Sequence, residues 1–104
     1  MNNDKYKIKY SSTFINQFNN ILKYLVHKLK NKIAAENFYN EVIKEIETRS
    51  KNPVNYEKYL STRKRKNAYY RIHVKNYIIF YIVKDNTMEI RRILYSKRNF
   101  DKLI

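Results

Sequence analysis

Residues Lys5 to Tyr10 alternate without a break: Tyr6, Ile8 and Tyr10 fall on one side, Lys5, Lys7 and Lys9 on the other. Period two with one lysine face predicts a half-buried strand at a sheet edge, where charge discourages pairing with another chain. Ser11, Ser12 and Thr13 follow and supply N-cap hydroxyls. From Phe14 the period becomes 3.6: Phe14, Phe18, Ile21, Leu22, Leu25 and Leu29 form one apolar stripe, predicting a long amphipathic helix. Lys30-Asn31-Lys32 interrupts it, and Asn31 is placed to cap a second helix. That helix carries the stripe Ala35, Phe38, Val42, Ile43 and Ile46, with Glu36, Glu41, Glu45 and Glu47 over much of its remaining surface. Asn52-Pro53 ends it, because the residue before a proline disfavours helical geometry. Two helices with so short a link pack as an antiparallel hairpin.

Val54 to Asn67 carries few core signals and reads as a surface connection. Three strand candidates follow: Ala68–Val74, Tyr77–Val83 and Thr87–Tyr95. The middle one, Tyr-Ile-Ile-Phe-Tyr-Ile-Val, is apolar on both faces and should be central, with Tyr77 and Tyr81 in the sheet core. Lys75-Asn76 and Lys84-Asp85-Asn86 are short enough for hairpin turns, with Asn supplying the turn chemistry. The expected fold class is therefore α+β: an N-terminal strand, an antiparallel helical hairpin, then a three-stranded antiparallel meander forming one twisted sheet. No repeat or linker divides residues 1–104, so a single domain is expected.

The net charge of +14, with a pI near 10.0, exceeds what solubility requires and works against compaction. It points to a polyanionic partner. Residues 61–104 hold 12 Lys/Arg against 3 Asp/Glu, whereas residues 1–60 hold 11 against 6. A polyanion should meet the sheet half first. With no cysteine and two isolated histidines, neither a disulfide nor a metal site is expected. With no glycine, a phosphate-cradling glycine loop cannot be built, so no nucleotide cofactor is expected. The first 13 residues are polar and charged, and no apolar run approaches the ~18 residues of a membrane span, so a cytoplasmic protein is expected.

The stretch Tyr70-Arg71-Ile-His-Val-Lys-Asn-Tyr77-Ile-Ile-Phe-Tyr81, followed by Glu89-Ile-Arg-Arg-Ile-Leu-Tyr-Ser-Lys-Arg98, resembles the RelE/ParE toxin superfamily. An arginine shortly before a turn, a Tyr-x-x-x-Tyr central strand and a basic Arg98-Asn99 tail occur in the superfamily's order, with Ala34-Ala35 opening the second helix and Asn52-Pro53 closing it. The resemblance spans roughly residues 6–103. It implies the toxin component of a type II toxin–antitoxin system, neutralised by a cognate antitoxin, here expected to be acidic. RelE-like members cleave mRNA on the ribosome, whereas ParE-like members poison DNA gyrase without chemistry of their own. The first activity is the leading expectation, gyrase inhibition the alternative, and a plain nucleic-acid-binding module the third.

Metal-free RNA cleavage needs a base for the 2′-hydroxyl, positive charge for the phosphorane and an acid for the leaving oxygen. Arginine suits the second role because its planar fork pairs with phosphate oxygens and stays charged. Arg71 shares a strand face with Tyr69 and His73, and the resemblance sets it near the superfamily's sheet arginine. Arg98, just past the last strand, matches a catalytic arginine of RelE-like nucleases. His73 is a candidate base or acid, and Tyr95 a candidate proton donor or base-stacking residue. His27 falls on the polar side of the first helix. Arg63, Lys64, Arg65, Lys66 and Lys97 are expected to hold backbone phosphates, and Lys64 or Lys66 is a further candidate base. The acid–base set departs from the superfamily: six residues beyond Arg98 stands Ile104 where RelE has a tyrosine, and Tyr95 is followed by Ser96-Lys97 rather than completing a His-Tyr ending.

Overall fold

The computed structural model describes residues 5–59 and 67–97. Its elements are β1 (Lys7–Tyr10), α1 (Ser12–Lys23), a π-helical turn (Tyr24–Lys28), α2 (Lys32–Arg49), β2 (Lys58–Tyr59), β3 (Tyr69–Val74), β4 (Tyr77–Lys84) and β5 (Thr87–Tyr95). The strands form one sheet in the order β1-β5-β4-β3-β2. β3, β4 and β5 are the expected meander, with the doubly apolar β4 at its centre. β1 is an edge strand, as its lysine face implied, and pairs parallel with β5. The helical hairpin covers one face, giving the expected α+β architecture.

One strand was missed. Lys58-Tyr59 lies within the stretch expected to be a surface connection, yet it pairs antiparallel with Tyr69-Tyr70 and forms the other edge. Two residues are too few to register as a period.

Local chemistry fixes the helix ends. Ser11 Oγ accepts from Phe14 N at 3.0 Å and donates to Arg91 O at 2.9 Å, so one hydroxyl caps α1 and ties it to β5. Asn31 Oδ1 accepts from Ala34 N at 3.0 Å, the expected cap of α2. The first helix does not run regularly to Leu29. Its last turn widens, Leu29 N reaching Tyr24 O at 3.1 Å and Asn31 N reaching Leu25 O at 2.9 Å. Leu29 is consequently turned out of the apolar stripe and left 52% exposed. With no glycine available, Lys30 takes the left-handed conformation that reverses the chain, at φ 53°. The hairpin turns behave similarly. Positive φ falls on Lys75 and Asp85, one residue before the asparagines expected to carry it.

Phe14 and Phe18 from α1 meet Phe38, Val42 and Ile46 from α2 over Tyr70, Ile72, Val74, Ile79, Tyr81, Met88, Ile90 and Ile93 of the sheet. Phe38 is 3% exposed and packs its ring 5.3 Å from that of Tyr77, so its truncation to alanine costs about 3–5 kcal/mol. A bulge interrupts the β4–β5 ladder: Phe80 faces Arg92 and Tyr81 faces Ile90, leaving Arg91 as the extra residue. The α1 side chains satisfy the disturbed backbone, with Ser11 at Arg91 O and Gln17 Oε1 accepting from Ile93 N at 2.9 Å. The sheet face away from the helices is apolar too, with Tyr69, Ile78, Phe80, Ile82 and Leu94 all buried. Among the described residues the ion pairs are Lys75–Glu41 at 3.5 Å and Arg91–Glu89 at 3.8 Å. Pairs so exposed contribute at most about 1 kcal/mol.

Candidate functional site

Alternation along β3 decides where its polar side chains go. Tyr70, Ile72 and Val74 turn toward the helices and are buried, so Tyr69, Arg71 and His73 occupy the opposite face. Arg71 is half-buried and His73 exposed. Both line a depression of about 220 Å3 together with Arg49, Tyr56 and Glu57. The pairing of β2 with β3 brings the segment just after α2 beside Arg71.

Arg49, the last residue of α2, is fixed from several sides. Its Nη1 donates to Arg71 O and to Tyr81 Oη, each at 3.0 Å. Its guanidinium carbon lies 3.6 Å from the centre of the Tyr56 ring. Tyr81 Oη in turn donates to Pro53 O at 2.8 Å. One guanidinium thus joins the end of α2, the backbone of β3, the core of β4 and the loop after the helix. Two of its five N–H donors are used by these bonds. Burial pushes the Tyr81 hydroxyl above its ordinary value of 10.0, although the hydrogen bond and charge of Arg49 pull the other way. Arg71 has its guanidinium carbon 5.0 Å from the centre of the Tyr59 ring, and that ring stands edge-on to buried Phe80 at 5.5 Å.

The depression therefore gathers a carboxylate, an imidazole, two guanidiniums and an aromatic ring. It places two cations beside a carboxylate and an imidazole, the residue types that anion binding and proton transfer require. Among the described residues no group of His, Cys, Asp and Glu could hold a metal ion, and no helix is long and apolar enough to cross a membrane.

Of the candidates from sequence, Arg71 and His73 come together here. Tyr95 does not join them. It pairs with Tyr77, whose ring lies 5.8 Å away and packs against the helix-side core, so Tyr95 is on the other face of the sheet. Lys97 is exposed beyond β5 and does not line the depression. Arg63, Lys64, Arg65, Lys66 and Arg98 lie outside the described residues. His27 sits exposed in the π-helical turn. Sequence reasoning missed Arg49, Tyr56 and Glu57. Arg49 carried a weak signal as a cation in the last turn of a helix, where it also complements the helix dipole. Tyr56 and Glu57 carried none, since only the β2–β3 pairing brings them to Arg71.

The fold has solved counterparts. A chain of the structure described as the chromosomal ParDE TA system from P. aeruginosa superposes with a TM-score of 0.72 at 10% identity, covering 90% of this chain and 99% of that one. A chain of the archaeal RelE-RelB complex from Pyrococcus horikoshii OT3 gives 0.58 at 17% identity, covering 91% and 99%. At such identities these likenesses bear on the fold alone. No curated protein is similar enough in sequence to count as a match. Residues 8–100 match the family described as the ParE toxin of type II toxin-antitoxin system, parDE, and this chain therefore belongs to that family, within the RelE/ParE superfamily of toxins.

Proposed function

We propose that this toxin is a metal-independent endoribonuclease that cuts mRNA on the ribosome and so stops translation. The observation that carries the reading is the single depression shared by Glu57, His73, Arg71 and Arg49. Glu57 is the base in this reading, in place of the sequence candidates His73, Lys64 and Lys66. Its carboxylate takes the proton of the 2′-hydroxyl, and the 2′-oxygen attacks the neighbouring phosphorus. Arg71 stabilises the charge that builds on the phosphorane oxygens. The bond from phosphorus to the 5′-oxygen breaks, and His73 delivers a proton to that oxygen. The products are a 2′,3′-cyclic phosphate and a 5′-hydroxyl. Arg98 is retained as a second phosphate-binding arginine on the strength of the resemblance, and the basic run Arg63 to Lys66 as a contact to the ribosomal RNA backbone. The solved counterparts come from a ParDE TA system and a RelE-RelB complex, which supports an antitoxin partner. Charge complementarity to +14 makes that partner acidic.

The second reading, inhibition of DNA gyrase by protein contact alone, is favoured by the match to the ParE toxin family. Primer extension on an mRNA in a purified translation system separates the two. Endonuclease action gives codon-positioned cuts that vanish without ribosomes and in Glu57→Gln. Intact mRNA beside active ribosomes, with gyrase-dependent DNA breaks in a parallel reaction, would favour the second.

A further inference from the structure

We infer that Tyr56 is a stacking platform for an unpaired nucleobase, placed beside the cations that hold the adjoining phosphate. The inference rests on the endoribonuclease reading for its ligand, single-stranded RNA, but not for its geometry. Four tyrosines among the described residues are strongly exposed: Tyr24, Tyr39, Tyr56 and Tyr95. Tyr39 is already stacked, its ring 5.7 Å from Phe18 and tilted by only 6°. Tyr95 packs against Tyr77 on the helix-bearing face. Tyr24 borders an apolar groove with Leu25, Leu29 and Phe38. Tyr56 alone of the four lines the depression that contains Arg71 and His73.

One face of the Tyr56 ring lies on the Arg49 guanidinium, 3.6 Å from the ring centre. Tyr56 as a whole residue is nonetheless 46% exposed, which leaves accessible area for a planar partner beside the guanidinium. Because Arg49 is itself held by Arg71 O and Tyr81 Oη, the ring rests on a braced support and has little freedom left to lose when a base stacks on it. Proteins that bind single strands combine cations that follow the phosphates with aromatic rings that take the bases. A ring over a fixed guanidinium, one position before Glu57 in sequence and in the same depression as Arg71, reproduces that alternation at the scale of one nucleotide. An apolar peptide side chain would use the ring but leave the cations unmatched.

The test is binding of a fluorescently labelled 2′-O-methyl hexanucleotide, whose blocked 2′-oxygen prevents cleavage, against a hexamer of equal phosphate count that lacks bases. Both probes release the same number of counterions, so their affinity ratio isolates base contacts from charge. Wild type should prefer the base-bearing probe. Tyr56→Leu should weaken that probe about tenfold or more and leave the abasic one unchanged, while Tyr56→Phe, which keeps the ring, should bind as wild type does. Equal affinity of wild type for both probes, or equal loss on both in Tyr56→Leu, would overturn the platform. Discrimination by a wild-type protein that leaves ribosome-bound mRNA intact would support the platform and discard the nuclease. Cleavage without discrimination would do the reverse.

Discussion

Replacing Arg49 with methionine keeps most of the side chain's length and apolar stem while removing the guanidinium. The structure lets the cost be worked out. Two hydrogen bonds from a charged donor are lost, to Arg71 O and Tyr81 Oη. Each is worth up to about 1.5–3 kcal/mol when its acceptor is left dry. The cation over the Tyr56 ring contributes about 0.5–2 kcal/mol more. Three features reduce the sum. Tyr81 keeps its bond to Pro53 O, Arg71 is only half-buried so that water can reach its carbonyl, and one positive charge leaves a chain carrying +14. The expected net loss is ~2–4 kcal/mol, read as a lowered urea midpoint with unchanged slope in circular dichroism. On heating, the corresponding fall in Tm is ~10–20 °C for a domain of this size. Arg49→Lys should lose about half as much, because an ammonium keeps the charge but not the planar fork. A loss below ~0.5 kcal/mol in Arg49→Met would refute the brace. An Arg49→Lys variant as stable as wild type would show that charge, and not the fork, is what matters there.

Three further outcomes follow from the same structure. Burial raises the hydroxyl pKa of Tyr10, Tyr77 and Tyr81 above 10.0. The folded state therefore holds protons that the unfolded chain has lost above that value, so stability is complete below pH 10 and declines as pH rises beyond it. Urea midpoints between pH 8 and 11 should show this, with a shallower decline in Tyr81→Phe, and a rise in stability over that range would contradict it. Under the proposed endoribonuclease activity, Arg71→Ala should reduce mRNA cleavage by ~10²–10³-fold with little change in Tm, and full cleavage by a folded variant would remove Arg71 from the mechanism. Gln17→Leu leaves Ile93 N without its acceptor beside the β5 bulge. A loss of about 1–3 kcal/mol in urea unfolding is expected, and an unchanged midpoint would mean that water replaces the amide.

Most of the architecture was written in the sequence, since every element except the two-residue β2 carries its own local signal. The lysine alternation of β1, the two apolar stripes and the doubly apolar β4 all depend on spacing within one segment. Burial requires that spacing whatever lies opposite. The Ser11 and Asn31 caps were legible for the same reason, because a cap bonds three residues ahead. Arg71 and His73 were legible as a pair because strand alternation puts residues two apart on one face. Tertiary structure decided the rest. Nothing local marks Glu57 or Tyr56, which reach Arg71 only through the two-residue pairing of β2 with β3. Arg49 became part of the site because α2 ends beside Tyr81 and the β3 backbone, a meeting of residues 22 and 32 positions apart. Tyr95 falls on the face away from Arg71 and His73, a placement that depends on cross-strand register and a bulge, and a bulge shifts every residue beyond it by one. The absence of glycine moved strain onto Lys30, Lys75 and Asp85, and only the path of the folded chain selects which residues bear it.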